Sequence, residues 1–277
     1  MKKNTQKNKN EQNIKNLKLG KVVFTTVLKT IGIIMFVFGF VVMSMSVVAP
    51  RTMLKTFDLM GLDGAGYLVQ KRMYERDNTN QNLYNLIQRA IENEKYEDQV
   101  KYIDIMIHLD DYSSFCEEVD NATKQILGAK YSIYADSYDT YLRRHLVKAL
   151  YLTDKEMEAK MMAIDSVYGG LDELYMYVDL IVNDEELTDV QKTAEINTLY
   201  SRYSVLSAIE TKLLELDELL SLSESNYDSI IVLEQKVKLA KIQSILGEYA
   251  GNEVLANSAK ENIERWSNEI ADLVNAL

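Results

Sequence analysis

The sequence TDVQKTAEINTLYSRYSVLSAIETKLLELDELL, residues 188–220, returns to apolar side chains at intervals of three and four residues. This spacing places them on one face of an α-helix, close to the heptad pattern of helices that pack side by side. Thr188 followed three residues later by Gln191 is a capping-box signature for a helix start. The stretch therefore predicts one long amphipathic helix from Thr188 to about Leu222. Its apolar positions are Ile196, Leu199, Tyr203, Leu206, Leu213, Leu216 and Leu220.

Two more long helices are predicted after it. One runs from Tyr227 to Tyr249 and ends at Gly251, and the other runs from Glu253 to Leu277. Long antiparallel helices joined by short loops make a bundle. We therefore assign residues 171–277 to a C-terminal antiparallel helical bundle, with a seam at Gly169-Gly170.

The remaining chain after Pro50 is also predicted to be helical. Pro50 is the only proline in the sequence, and alternating β-strand patterns are absent. The predicted fold class is therefore all-α. Ser114 with Glu117, and Thr153 with Glu156, are further capping signatures. The shorter helices are predicted at Arg51–Met60, Tyr67–Asp77, Asn82–Asn93, Tyr96–Leu109, Ser114–Leu127, Lys130–Leu152, from Thr153 to Gly169, and at Leu171–Val182.

The segment NLYNLIQRAIENEKYEDQVKYIDIMIHLDD, residues 82–111, resembles a tetratricopeptide helix-turn-helix unit. Gln99 departs from that pattern where a small residue is expected, and Asp111 where a closing proline is expected. Upstream, residues 61–78 look like the second helix of a preceding unit, and Asn78 lies 33 residues before Asp111, close to the family's period of about 34. The positions that match the family are Leu83, Leu86, Ala90, Tyr96 and Ile103.

This resemblance implies that residues 51–170 form a tetratricopeptide-like, α-solenoid-like region of helical hairpins. Stacked hairpins of that family present a concave face to peptides or partner helices. The chain contains 18 tyrosines, and tyrosine is enriched at interfaces. The candidate protein-binding residues are Tyr67, Tyr74, Tyr96 and Tyr102, although tyrosines at helical spacing are also typical of a core.

Residues 30–49, TIGIIMFVFGFVVMSMSVVA, contain no charged side chain. Twenty helical residues at about 1.5 Å each cover about 30 Å, the thickness of the hydrocarbon core of a bilayer. We therefore predict a single transmembrane helix within residues 22–50. Residues 1–21 are rich in Lys, Asn and Gln and are predicted to be a disordered basic cytoplasmic tail.

The orientation of this span follows from charge. Eight lysines and one acid precede it, so the positive-inside rule places the N-terminus in the cytoplasm and the C-terminal domain outside it, at the cell membrane. A cleaved signal peptide is the alternative, since Val47-Val48-Ala49 resembles a cleavage site. The apolar run is longer than a signal core, and Pro50 directly after the cut favours an anchor.

Small residues recur every seven positions in this span, which would allow close helix approach and a homo-oligomer. Gly and Ser are also common in membrane spans without such a role. The candidate packing residues are Thr25, Gly32, Gly39 and Ser46.

Composition excludes several functions. Residues 51–277 carry 23 basic and 41 acidic side chains, which opposes nucleic-acid binding and favours basic partners. His108 and His145 are isolated, and no phosphate-binding loop or nucleophile motif is present. We therefore expect no cofactor, no metal and no enzymatic activity. Cys116 is the single cysteine, so it forms no intrachain disulfide and is predicted to be a buried side chain.

Three functions remain open at this point. The favoured one is a single-pass, membrane-anchored adaptor that binds another protein outside the cytoplasm. The second is a structural or assembly subunit that packs into a larger membrane complex through its C-terminal helices. The third is an enzyme with an unrecognised helical active site, which convergent acids and a buried histidine would favour.

The topology yields the first prediction. A reporter that is active only in the cytoplasm, fused after Leu277, should stay silent because the lysines before the span hold the N-terminus inside. The matched fusion before Met1 should be active. A strong signal from the C-terminal fusion would reverse the orientation.

Overall fold

The computed structural model describes residues 48–127, 137–166 and 171–277, with eight further positions between 27 and 45. From residue 50 onward the described chain is helical and contains no strand, which confirms the all-α prediction. Twelve helices are described in this part. They are α1 (Pro50–Met60), α2 (Asp63–Arg76), α3 (Asn80–Glu92), α4 (Tyr96–Ile107), α5 (Tyr112–Leu127), α6 (Tyr138–Tyr151), α7 (Glu156–Asp165), α8 (Asp172–Asn183), α9 (Asp189–Arg202), α10 (Val205–Ser221), α11 (Asn226–Tyr249) and α12 (Glu253–Asn275).

The chain divides into two compact units, Met1–Asn82 and Leu83–Leu277. The seam predicted at Gly169-Gly170 lies outside the described residues and stays a prediction.

In the first unit, α1 and α2 pack against each other. Met53, Leu54 and Phe57 of α1 form a buried cluster with Val69 of α2. The turn between the helices is tight because Gly61 adopts a left-handed φ of 65°, a conformation that glycine reaches without steric cost.

The second unit begins with the helix-turn-helix of α3 and α4. Gln99, at a position where the tetratricopeptide pattern would have a small residue, closes the turn between these two helices. Its side chain is buried, and Nε2 donates a hydrogen bond to the carbonyl oxygen of Ala90 at 3.0 Å. The amide of Lys95 donates to the same oxygen at 2.8 Å, so Gln99 helps to close the end of α3.

Two helices organise the rest of the second unit. The first, α6, packs against α4, α5, α7 and α8, and the second, α11, packs against α8, α9, α10 and α12. An ion pair joins α8 to α11, with Lys238 Nζ 2.7 Å from Asp172 Oδ1. The core of the unit therefore lies along these two helices.

The capping predictions had mixed outcomes. The capping box of Thr188 and Gln191 is confirmed, with both reciprocal hydrogen bonds present. The continuous helix from Thr188 to Leu222 is wrong, because it breaks at Ser204, whose φ of 52° is left-handed. Thr153 does not cap α7, because its hydroxyl donates instead to the carbonyl oxygen of Ala149 at 2.7 Å.

The C-terminal helices pack closely. A Cβ placed on Gly247 of α11 would lie 2.8 Å from the backbone nitrogen of Ala256, so the glycine lets α11 approach the start of α12. Further along, Trp266 of α12 is buried with Leu233 and Ala240 of α11. Lys236 lies with Nζ 4.3 Å from the centre of the Trp266 ring and 2.5 Å from Asp217 Oδ1 of α10, so one buried lysine joins three helices.

Within the described part of the chain, no helix combines the length and apolar character needed to cross a bilayer. Twelve of the twenty positions of the predicted span at residues 30–49 lie outside that part, as does the whole predicted tail at residues 1–21.

The burial of Trp266 yields the second prediction. Trp266→Ala should lower the free energy of unfolding by about 3 to 5 kcal/mol, because it leaves a cavity and removes the ring beside Lys236. Leu214→Ala is the matched control, since Leu214 is 68% exposed, and should cost less than about 0.5 kcal/mol. Urea unfolding followed by circular dichroism measures both. A loss under about 1 kcal/mol for Trp266→Ala would contradict the buried position.

Candidate functional site

The helix α6 carries aromatic side chains on one face and buried aliphatic ones on another. Its start is fixed by Ser137, whose hydroxyl accepts a hydrogen bond from the Thr140 amide at 3.2 Å, and by Asp120 of α5, which accepts one from the Tyr138 amide at 2.7 Å. Tyr138, Tyr141 and His145 follow at spacings of three and four residues and share one face. The spacing therefore aligns three rings along the helix.

These rings join with two from neighbouring helices, Tyr84 of α3 and Phe115 of α5. The ring centres lie 5.3 Å apart for Tyr84 and Tyr138, 6.0 Å for Tyr84 and Phe115, and 6.2 Å for Phe115 and Tyr138. The row continues with 6.1 Å from Tyr138 to Tyr141 and 4.6 Å from Tyr141 to His145. We call these five residues the aromatic cluster.

The cluster is partly open to solvent. Tyr138 is buried at its centre, whereas Tyr84, Phe115, Tyr141 and His145 are half-buried. Aromatic rings in this arrangement offer rigid apolar area with polar tips, the composition typical of protein-binding hot spots. The cluster is therefore the candidate functional site.

Polar contacts hold the rings in place. The Tyr141 hydroxyl donates to Gln88 Oε1 of α3 at 3.2 Å. At the end of the cluster near α5, Asp139 Oδ1 accepts hydrogen bonds from the Tyr112 hydroxyl at 2.5 Å and from Arg143 Nε at 2.8 Å. The bond to Gln88 joins the Tyr141 ring on α6 to α3, and the bond from Tyr112 joins α5 to α6, so the three helices that carry the rings are linked.

Burial dominates the electrostatics of the site. Desolvation, together with the positive charges of Lys148 and Arg144, lowers the pKa of His145 to about 4. Burial is also the main cause that raises the pKa of the Tyr138, Tyr141 and Tyr112 hydroxyls. At neutral pH the cluster therefore presents a neutral imidazole and neutral phenols.

Burial raises the pKa of the Cys116 thiol, which disfavours the reactive thiolate. In the parts of the chain that the structure describes, no group of three His, Cys, Asp or Glu side chains could hold a metal ion. The geometry therefore supports binding through apolar and aromatic contact.

The structure places the four predicted binding tyrosines differently. Tyr67 and Tyr102 are 3% and 2% exposed and belong to the core, where Lys71 and Lys101 lie over their rings. Tyr74 and Tyr96 are half-buried. Whether any of the four contacts a partner stays a prediction.

Of the predicted membrane-packing residues, Thr25, Gly32 and Ser46 lie outside the described residues. Gly39 is described, and a Cβ placed there would meet no atom within 4 Å. Sequence reasoning treated tyrosines at helical spacing, such as Tyr138 and Tyr141, as typical of a core, and it missed the roles of Tyr84, Phe115 and His145. The spacing of residues 138, 141 and 145 was the signal that could have indicated an aromatic face.

The sequence matches no family model, and comparisons with curated proteins and with solved structures found no significant match.

The lowered pKa of His145 yields the third prediction. Between pH 6.5, the ordinary pKa of histidine, and pH 4, its value in the fold, the unfolded chain binds a proton that the folded chain excludes. The histidine therefore contributes stability that is complete above pH 6.5 and is lost as pH falls towards 4. When the pH falls from 7 to 5, the free energy of unfolding should therefore drop by about 1 to 2 kcal/mol more in the wild type than in His145→Gln.

Leu214 supplies the control, because it is 68% exposed and does not titrate, so Leu214→Ala should leave the pH dependence of unfolding unchanged. Chemical unfolding at a series of pH values measures both variants. Equal pH profiles for wild type and His145→Gln would contradict the half-buried, neutral imidazole.

Proposed function

We propose that the chain is a single-pass membrane protein whose helical part lies outside the cytoplasm and binds another protein through the aromatic cluster. The observation that carries this proposal is the row of five rings on three helices, four of them half-buried, with the Tyr141 hydroxyl hydrogen-bonded to Gln88. Preordered rings lose little side-chain entropy when a partner binds, so more of the contact energy appears as affinity.

The chemistry of the cluster describes its partner. Half-buried rings with neutral polar tips suit a peptide or helix that supplies aliphatic or aromatic side chains. The second unit carries 18 basic and 37 acidic residues, which favours a partner with a basic surface. Tyr96 lies in the same unit and, if it contacts the partner, extends this surface beyond the cluster.

The membrane part of the proposal comes from sequence. The uncharged residues 30–49 are long enough to cross a bilayer. The eight lysines that precede them favour an N-terminus in the cytoplasm. The stripe of Thr25, Gly32, Gly39 and Ser46 is the proposed contact if the anchors self-associate. The role is one of binding, without catalysis, cofactor or metal.

The alternative is an assembly subunit that packs through its C-terminal helices. A specific observation favours it: Leu214, Leu219 and Leu222 on and just after α10 are 68%, 51% and 73% exposed. Leu213 and Leu220 of the same helix, by contrast, pack on the core.

A photo-crosslinking experiment separates the two functions. The full chain is expressed with a photoreactive phenylalanine analogue at Phe115, which has no side-chain hydrogen bond to lose, or at Leu214 as the matched site on α10. The adaptor function predicts that a defined protein is crosslinked from position 115. Crosslinking from position 214 alone would support the assembly function and contradict the adaptor.

Affinity measurements on the captured protein give the fourth prediction. Tyr141→Ala should weaken binding at least about tenfold, because interface tyrosines are typical hot spots, while the chain still melts cooperatively. Tyr141→Phe keeps the ring and should retain most of the affinity, and Leu214→Ala should leave it unchanged. If Leu214→Ala weakens binding and Tyr141→Ala does not, the aromatic cluster is not the binding surface.

A further inference from the structure

The turn between α1 and α2 exposes large apolar side chains in a defined conformation. Leu59, Met60 and Leu62 are 89%, 59% and 44% exposed. The turn is held by two backbone hydrogen bonds, from Gly61 to the Asp58 carbonyl at 3.2 Å and from Leu62 to the Phe57 carbonyl at 2.9 Å. The left-handed Gly61 completes this helix end, so the apolar side chains are fixed outside the core.

The exposed face of α1 continues this surface. Thr52, Lys55, Thr56 and Leu59 are all exposed and recur at helical spacing, opposite the buried Met53, Leu54 and Phe57. Arg51 lies one turn before Lys55, so both basic side chains lie along the same side of α1. We call the face, with Arg51, Met60 and Leu62, the basic-apolar surface.

This combination of side chains suits one kind of partner. Helices that lie at a bilayer surface insert leucine-sized side chains below the headgroups, while neighbouring lysines and arginines meet the lipid phosphates. The apolar turn supplies the first element and the pair Arg51 and Lys55 the second. A partner that satisfies both is a lipid surface with its phosphate headgroups.

Charge along the chain agrees with that partner. Residues 51–82 carry five basic and four acidic side chains, whereas residues 83–277 carry 18 and 37. An anionic membrane therefore repels the second unit and leaves the first close to neutral. The basic-apolar surface therefore lies in the part of the chain, residues 51–82, whose net charge is close to zero.

The predicted membrane span ends directly before α1. The uncharged residues 30–49 end immediately before α1, and α1 has 11 residues, or about 16 Å at about 1.5 Å each. Ala49, with φ −137°, is not helical, so α1 begins anew at Pro50 and can take its own direction. A helix starting at the membrane exit can therefore lie along the surface.

We propose that the basic-apolar surface rests on the lipid bilayer, with Leu59, Met60 and Leu62 inserted among the headgroups and Arg51 and Lys55 at the phosphates. The proposal rests on the membrane anchor of the proposed function. It adds a lipid contact made by α1 and the turn that follows it.

Fluorescence quenching in proteoliposomes tests this contact. The full chain carrying Cys116→Ser and Leu59→Cys is labelled at position 59 with an environment-sensitive fluorophore. It is reconstituted in vesicles of phosphatidylcholine and phosphatidylserine that carry nitroxide groups on their acyl chains. The matched control is Val254→Cys in the same background, because Val254 is 82% exposed and lies in the second unit.

The label at position 59 should lose most of its emission to the lipid nitroxides, and the label at position 254 should keep it. Arg51→Gln with Lys55→Gln should reduce quenching at position 59 on vesicles with phosphatidylserine, since each base near an anionic surface contributes about fivefold to binding. Met60→Cys provides a second labelling site on the same turn if the first variant fails to fold.

Flotation of the vesicles in alkaline carbonate tests the anchor separately. A chain that floats but shows no quenching at positions 59 and 60 overturns the lipid contact and leaves the anchor intact. Protection of position 59 from aqueous iodide without lipid quenching also overturns it, because a protein then covers the turn. Quenching at both position 59 and position 254 would overturn the proposal that the lipid contact is made by the first unit. A chain that does not float removes the anchor and the lipid contact together.

Discussion

Burial of one face of α6 is the interaction on which the second unit depends. Leu142, Leu146, Val147 and Leu150 have at most 4% of their surface exposed, and α6 packs against four other helices. Each such side chain contributes about 1.5 to 3 kcal/mol when it leaves water, so this face fixes the rotation of the helix. Once this face is buried, the helix cannot turn about its own axis. The directions in which Tyr138, Tyr141 and His145 leave the helix are therefore also determined. The aromatic cluster is thus a direct consequence of the core.

Buried ion pairs set the register of the helices around that core. Lys160 of α7 is 8% exposed and lies 2.5 Å from Glu195 Oε1 of α9, which also accepts a hydrogen bond from the Tyr177 hydroxyl of α8 at 2.9 Å. Lys236 joins α10, α11 and α12 in a similar way. Removing the carboxylate leaves the buried ammonium uncompensated, whereas Glu195 and Asp217 are 32% and 58% exposed and remain solvated when the lysine is removed. Both lysines therefore favour one arrangement of three helices over its alternatives.

Local sequence patterns predicted the helices well and their breaks poorly. The capping box at Thr188 and the helices from Tyr227 and Glu253 could be identified because their signals lie within a few residues. The break at Ser204 could not, since the apolar spacing continues across it and only the packing of α9 and α10 on α11 requires the bend. Gln99 looked like a mismatch because its acceptor, the Ala90 carbonyl, becomes visible only when α3 and α4 are paired. The aromatic cluster has the same origin, because Tyr84 and Phe115 lie far from Tyr138 in sequence.

Backbone amide exchange in the full chain tests the central role of α6 most directly. If its buried face is the core of the second unit, the amides between residues 142 and 150 should exchange only through global unfolding. They should then be among the slowest in the molecule, and those after the break at Ser204 should exchange earlier through local opening. Exchange in α6 as fast as in the first turns of α10 would contradict the account, because neither the core nor the aromatic cluster could then depend on a fixed α6.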